Sequence, residues 1–213
     1  MLFRSKEAAL AFVDDVTEEA RRIGAANTIF VEGARLRAAN TDAYGFITNL
    51  TTGAPAFEAE AGPAVVLGAG GAARAVCFAL KAAGVPEVRI VNRTTARAEM
   101  LARDFGLVVR GWDERESVLE GANLLVNCTT MGMQGQEPLP LRLDRLPTEA
   151  VINDIVYAPL ETPLLAAGRA RGNPVVDGLG MLLYQAQRGF EGWFGVKPEV
   201  TAELRAHMLS ASP

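Results

Sequence analysis

The run Gly68-Ala69-Gly70-Gly71-Ala72-Ala73 directly follows a short apolar stretch, AVVL (64–67), and opens a segment with helical spacing. Glycines and alanines in that pattern suit one task, which is holding a pyrophosphate. Gly68 permits a tight turn, Gly70 lets the backbone come close to an anion, and Ala73 is small enough for close helix–strand packing. The helix N-terminus adds free amides and the positive end of its dipole. A glycine turn of this kind also closes ordinary strand–helix joints. The strand before it and the helix after it are the context that makes it a dinucleotide site.

The choice of dinucleotide is read where the second strand of such a unit ends. An acid there pairs with the 2′-hydroxyl of NAD, and a base takes the 2′-phosphate of NADP. This chain has Asn92-Arg93-Thr94 there, with Arg97 one helical step on. Two guanidiniums and a hydroxyl suit a doubly charged phosphate, which a carboxylate would repel. Other polar groups fall at the ends of extended segments. Asn40, Thr41 and Asp42 stand where a strand gives way to a helix, so Asp42 by itself reads as an N-cap. IGAANT (23–28) contains Asn27, and NCTTMGM (127–133) contains Thr129. The second of these has the stronger claim to a site, because it follows the fourth strand, whose C-terminal end borders the cofactor crevice.

Several chemistries are disfavoured. His207 is the single histidine and lies on the tail PEVTAELRAHML, so histidine-dependent nucleophilic catalysis has little to work with. No cluster of Cys, His, Asp and Glu has ligand spacing, so no metal is expected. Cys77 and Cys128 lie in apolar segments and read as buried free thiols of a reducing compartment. Net charge is −4 with no basic run, which argues against a nucleic-acid or anionic-membrane partner. No apolar stretch approaches a membrane span, and the opening residues lack the order of a secretory signal. A cytoplasmic setting is the expectation.

These groups need elements to position them. From Pro63 onward the apolar runs AVVLG (64–68), VRIVN (88–92), LVVR (107–110), NLLVNC (123–128), AVINDIVY (150–157) and PVVDG (174–178) alternate with helical patterns closed by glycine. Continuously apolar runs mark strands covered on both faces, and strand–helix alternation gives a doubly wound α/β fold. A six-stranded, parallel Rossmann-type sheet is the simplest topology. TTAR offers threonine caps at a helix start. The flanks differ. Residues 6–22 read as one amphipathic helix, NTIFVEGARLRAANTD as two strands around Glu32-Gly33, 42–52 as a helix, and the chain after Gly180 as helical again. The expected division is a substrate-side unit over 1–41, with C-terminal helices 182–213 packing on it, and a nucleotide domain over 42–181.

Taken in order, KEAA, IGAANT, NTDAYGF, GAGGAARA, NRTTAR, NCTTMGM, DIVYAPLETPLL and DGLGMLLYQ resemble the shikimate dehydrogenase family from Lys6 to about Phe194. The resemblance implies an NADP-dependent oxidoreductase that reduces 3-dehydroshikimate to shikimate on the route to chorismate and the aromatic amino acids. It implies Lys6 and Asp42 as the catalytic pair and Asn27, Thr41, Tyr157 and Gln185 as substrate contacts. For the cofactor it implies Gly68, Ala69, Gly70, Gly71 and Ala72, then Asn92, Arg93, Thr94 and Arg97, with Thr129, Ile155, Gly178 and Met181. Such a division of labour is chemically sensible. Hydride addition to a ketone builds charge on oxygen, an ammonium stabilises that charge and supplies the proton, and a carboxylate orients the ammonium.

In the family a longer segment precedes the lysine, with a Ser-x-Ser pair for the substrate carboxylate and a Val-Thr-x-Pro-x-Lys run. Here Leu2-Phe3-Arg4-Ser5 stands before Lys6. The expectation is a substrate domain lacking its carboxylate-binding part, with exposed sheet edges and impaired turnover. Three readings of that stay open: a truncated or mis-started copy, a non-catalytic NADP-binding paralogue, or a homodimer that covers the exposed surface. A quinate/shikimate dehydrogenase using NAD is a further alternative, against which Asn92-Arg93 speaks. Those two residues predict that NADPH binds more tightly than NADH in a fluorescence titration; equal affinities would refute the assignment.

Overall fold

The computed structural model describes residues 6–211, so Leu2-Phe3-Arg4-Ser5 and the last two residues lie outside the described part. Two sheets organise the chain. The smaller contains β1 (Asp15–Val16), β2 (Thr28–Glu32) and β3 (Arg35–Ala39), in the order β1-β3-β2. β2 and β3 form an antiparallel hairpin whose turn passes through Gly33 at φ 66°, while β1 runs parallel to β3. The larger sheet contains β4 (Ala64–Leu67), β5 (Val88–Val91), β6 (Val108–Arg110), β7 (Leu124–Asn127), β8 (Val151–Asp154) and β9 (Val175–Val176). Its strands are all parallel and run in the order β6-β5-β4-β7-β8-β9. That is the doubly wound Rossmann order, with the reversal between β4 and β7.

Seven α-helices complete the described chain: α1 (Glu18–Ile23), α2 (Asp42–Gly53), α3 (Gly71–Ala82), α4 (Thr95–Phe105), α5 (Pro163–Arg171), α6 (Gly178–Phe194) and α7 (Ala202–Ala211). Every residue of β4, β7 and β8 is buried, as their unbroken apolar runs require. Alternate side chains serve opposite layers. Val66, Leu124 and Val126 pack with Phe46 and Leu50 of α2 and with Val76 and Leu80 of α3. Val65, Leu67 and Leu125 pack with Leu164 and Leu165 of α5 on the other face.

The sequence reading of one helix over 6–22 is corrected. The segment forms a short 3₁₀ turn at Ala8–Phe12, then β1, then α1. Tertiary pairing outweighs helical periodicity here. The Asp14 amide donates to the Leu36 carbonyl (2.9 Å), the Leu36 amide to Asp14 Oδ2 (2.7 Å), and the Thr17 amide to the Ala38 carbonyl (2.9 Å). Thr17 then caps α1 through its hydroxyl, which accepts from the Ala20 amide, with Glu18 and Glu19 in the favourable first turn. The threonine caps read in TTAR are also not made. Thr94 occupies the cap position of α4 without a side-chain bond, and Asn92 Nδ2 donates to its carbonyl instead (2.8 Å). Helix α6 begins at Gly178, two residues before the Gly180 at which the sequence places the return to helix.

The most extensive helix–helix packing in the described chain is α2 crossing α6. At the crossing a Cβ on Gly45 would stand 2.7 Å from the Met181 carbonyl oxygen and 2.9 Å from the Gln185 amide nitrogen, both parts of a rigid helix. Gly45→Ala therefore predicts a loss of about 1–3 kcal/mol from overpacking. A thermal melt should register this as a fall of roughly 2–4 °C for each kcal/mol.

Candidate active site

Lys6 Nζ donates to Asp42 Oδ2 in a close ion pair, across 36 residues of sequence. The Lys6 side chain keeps 34% of its exposure, while Asp42 retains 1%. A carboxylate that deeply placed must be paired and hydrogen-bonded. Its second oxygen, Oδ1, accepts from Asn27 Nδ2 at 2.8 Å. Asn27 is the hub of the cluster. Its amide nitrogen also reaches Thr41 Oγ1 (3.0 Å) and Gln185 Oε1 (3.3 Å), and its carbonyl accepts from the Thr41 backbone amide (2.8 Å) and the Thr28 hydroxyl (3.1 Å).

The reading of Asp42 as an N-cap is corrected by the same geometry. Thr41 holds the cap position of α2, and Asp42 is its first residue. The free amides of Asp42 and Ala43 donate to Asn40 Oδ1 (2.9 and 3.4 Å), while Asn40 Nδ2 donates to the Ala25 carbonyl (3.0 Å). Because Asn40 satisfies the helix end, the Asp42 carboxylate is free to face Lys6 and Asn27. Lys6 is held from the other side, where its carbonyl accepts from the Ala26 amide at 2.8 Å.

The glycine turn lies next to this pair. A cavity of about 480 Å³ is lined by Lys6, by Gly70 and Gly71 of the turn, and by Arg74 and Arg97. A Cβ built on Gly71 would lie 3.9 Å from Lys6 Cδ, so the lysine stem runs alongside the turn. Gly68 has φ 103° and would place a Cβ 3.0 Å from the Cys128 carbonyl, so both its conformation and its surroundings demand glycine. Gly70 has open space where a Cβ would be and, having no side chain, leaves the first amides of α3 without a side-chain cap. Ala69 and Ala72 line the same cavity.

At the end of β5, Asn92 is half-buried and Arg93, Thr94 and Arg97 are exposed. Among the described residues neither Arg93 nor Arg97 has an ion-pair partner, so both guanidiniums are available to a phosphate. Thr129 follows β7 and donates its hydroxyl to Asn127 Oδ1 (2.7 Å); its methyl would meet a Cβ on Gly68 at 3.1 Å. Ile155 follows β8, and its carbonyl oxygen comes so close to Gly178 that a Cβ there would stand 2.2 Å away. Met181 is buried in the first turn of α6, within the core. The amides of the turn, the glycine approaches, the free arginines and the cavity together fit a 2′-phosphorylated dinucleotide.

Not every expected residue joins the cluster. Tyr157 stands on the loop after β8, 46% exposed, and no hydrogen bond links it to Lys6, Asp42 or Asn27 among the described residues. His207 is exposed on α7. Cys77 and Cys128 are free thiols, and burial pushes Cys77 up to about 12 and Cys128 well above its ordinary value, so neither is a thiolate. The described residues contain no group of three His, Cys, Asp or Glu that could hold a metal, and no helix long and apolar enough to cross a membrane. Sequence reasoning passed over Asn40 as the acceptor for the first amides of α2, Asn127 as the anchor of Thr129, and Arg74. A polar residue two positions before a helical carboxylate was the available signal for Asn40.

A cleft of this kind beside the glycine turn of a doubly wound sheet, with a carboxylate-paired lysine on its wall, suits a nucleotide-dependent oxidoreductase of the Rossmann class. The comparisons with known proteins narrow that class. The family model described as shikimate / quinate 5-dehydrogenase matches residues 55–134, and the shikimate 5′-dehydrogenase C-terminal domain matches residues 178–205. The chain is 57% identical over 208 residues to the shikimate dehydrogenase (NADP(+)) of Paramagnetospirillum magneticum, covering 96% of this chain and 75% of that protein. Its identity with the Dinoroseobacter shibae protein of the same name is also 57%, with the same coverage. Among solved structures, Thermus thermophilus shikimate 5-dehydrogenase in complex with NADP(H) and shikimate aligns with TM-score 0.81 at 44% identity, covering 91% of this chain and 71% of that one. Quinate dehydrogenase from Corynebacterium glutamicum in complex with NAD aligns with TM-score 0.89 at 33% identity, covering 96% and 74%. The chain belongs to the shikimate dehydrogenase family.

Beside the cleft, Asp154 ends β8 completely buried, accepting from Thr162 Oγ1 (2.7 Å), Asn127 Nδ2 (3.0 Å) and the Val156 amide (3.0 Å). Burial lifts its carboxyl from 3.8 to about 6 despite those three bonds. A raised carboxyl makes the folded state hold its proton longer than the unfolded state. Its contribution to stability is thus greatest below about pH 4 and is lost as pH rises to about 6, by up to about 3 kcal/mol. The difference in urea midpoint between the wild type and Asp154→Asn, followed from pH 4 to 7, should show that slope.

Proposed function

We propose that this chain reduces 3-dehydroshikimate to shikimate with NADPH, and that Lys6 and Asp42 carry the proton chemistry. The observation behind the proposal is Lys6, ion-paired to the buried Asp42, on the wall of the cavity that the glycine turn also lines. Bound NADPH supplies a hydride to the substrate ketone. Lys6 Nζ, half-exposed toward the cavity, stabilises the charge that develops on the carbonyl oxygen and delivers the proton that completes the alcohol. Asp42 aims the ammonium, and Asn27 fixes the carboxylate through its second oxygen. Asn27, Thr41 and Gln185 present amide and hydroxyl groups to a polyhydroxylated ring, joined by Tyr157 from the loop after β8.

The uncapped amides of the Gly68–Ala72 turn take the pyrophosphate, and Arg93 and Arg97 with Asn92 and Thr94 take the 2′-phosphate. Thr129, Ile155, Gly178 and Met181 border the nicotinamide end from the β7 and β8 loops and the first turn of α6. An NAD-dependent quinate dehydrogenase would want a carboxylate at the end of β5, where this chain has Asn92 and Arg93. The substrate-side unit over 1–41 with 182–213, and the nucleotide unit over 42–181, follow the two sheets, with α6 continuing across the second boundary. Two free thiols favour a cytoplasmic setting, and the open edge of β2 with exposed Val31, Trp193 and Phe194 nearby favours a homodimer.

Lys6→Ala tests the assignment. Shikimate oxidation should fall by about 10²–10⁴-fold, as for removal of a general acid–base group. NADPH affinity, read by fluorescence titration, should remain near the wild-type value. Retained turnover would remove Lys6 from the mechanism.

A further inference from the structure

Arg74 follows the glycine turn, on the first turn of α3, and its own amide closes that turn on the Gly70 carbonyl (3.2 Å). Its side chain reaches the wall of the cavity beside the turn, yet it is only 11% exposed and two of its donors are taken up by protein acceptors. Nε donates to the Ile23 carbonyl at the end of α1 (2.7 Å), and Nη2 donates to Asp104 Oδ2 on α4 (2.5 Å). The guanidinium also lies 5.5 Å over the Phe105 ring. Three separate elements therefore meet on one side chain. The fork geometry is essential, because two donors point in different directions at once.

What lies beyond the Ile23 carbonyl makes the contact more than local. Gly24 follows with φ 73°, capping α1, and a Cβ there would stand 2.7 Å from Arg74 Nη2. Two residues later the Ala26 amide donates to the Lys6 carbonyl, and the next residue is Asn27, which holds Asp42. On the other side, α3 carries the phosphate turn and α4 carries Arg97. A single guanidinium thus joins the elements that would carry the cofactor to the segment 23–27, whose Ala26 amide and Asn27 side chain hold Lys6 and Asp42. We propose that Arg74 is a positioning residue, which sets the height of the Lys6–Asp42 pair above the cofactor without itself binding cofactor or substrate.

This inference rests on the NADPH-dependent reading above, so its test includes a measurement that needs no turnover. The chain has three lysines, Lys6, Lys81 and Lys197, so acylation by an N-hydroxysuccinimide ester can be followed at Lys6 by peptide mass spectrometry with two internal controls. NADPH at about ten times its dissociation constant should slow labelling of Lys6 in the wild type roughly tenfold by occupancy. In Arg74→Met, at matched saturation, that protection should fall below about twofold, because the lysine segment no longer sits over the bound nucleotide. Turnover of shikimate should fall roughly ten- to a hundredfold in kcat, as expected for misplacement on the ångström scale, with NADPH affinity unchanged. Arg74→Lys should resemble Arg74→Met, since an ammonium cannot serve both acceptors. Asp104→Asn, at an exposed position, cuts one anchor without threatening the fold and should shift protection and kcat in the same direction; it decides the matter if Arg74→Met does not fold. Wild-type protection and kcat in these variants would overturn the proposal. So would a tenfold or greater loss of NADPH affinity with normal protection at saturation, which would make Arg74 a cofactor ligand. If the wild type lacked turnover while the labelling pattern held, the catalytic reading would fail and the positioning role would stand.

Discussion

The buried carboxylate of Asp42 is the constraint around which the substrate side of this protein is arranged. At 1% exposure it is stable as an anion only with a cation and a donor against it. Lys6 supplies the first and Asn27 the second. Those two come from different parts of the chain, so the 3₁₀ turn, the end of α1, β2 and the start of α2 must all converge on one point. Asn40 makes the convergence workable by taking over the helix cap, which would otherwise compete for the same carboxylate. The pair that anchors the fold locally is also the pair suited to proton transfer, so structural and chemical demands fall on the same atoms.

The nucleotide side obeys a different constraint, which is close approach of backbone to backbone. Gly68 against the Cys128 carbonyl, Gly178 against the Ile155 carbonyl and Gly45 against the Met181 carbonyl are three places where a single methyl group would force the elements apart. All three border the crevice or the α2–α6 crossing beneath it. The ends of β4, β7 and β8 can therefore sit near enough to α3 and α6 for amides from several elements to face one ligand. Asn127 and Asp154 continue the same layer with side chains, tying the β7 and β8 loops together through hydrogen bonds. The cost of that arrangement appears as the raised Asp154 carboxyl.

Much of this was legible in the residues. The apolar runs 64–68, 88–92 and 123–128 became β4, β5 and β7 because continuous Val/Leu/Ile runs have one stable home, a parallel strand covered on both faces. The glycine turn and Asn92-Arg93 stand at the ends of β4 and β5, where the sequence puts them, because local sequence dictates turn geometry and surface charge. The segment 6–22 was misread because helical periodicity is a local signal, whereas β1 exists only through its pairing with β3, some twenty residues away. Asp42 was read as a cap for the same reason, since the lysine that claims it lies 36 residues away.

The sequence by itself determined the alternation of strands and helices, the glycine turn after β4 and the basic character of the β5 end, because each is written in contiguous residues. Tertiary structure alone decided that Lys6, Asn27, Thr41, Asp42 and Gln185 share one hydrogen-bonded cluster, that Asn40 relieves Asp42 of its capping duty, and that Arg74 reaches across to α1. Those contacts join residues far apart along the chain. Their partners are chosen by the packing of α2 against α6 and of α1 against α3, which no short stretch of sequence encodes.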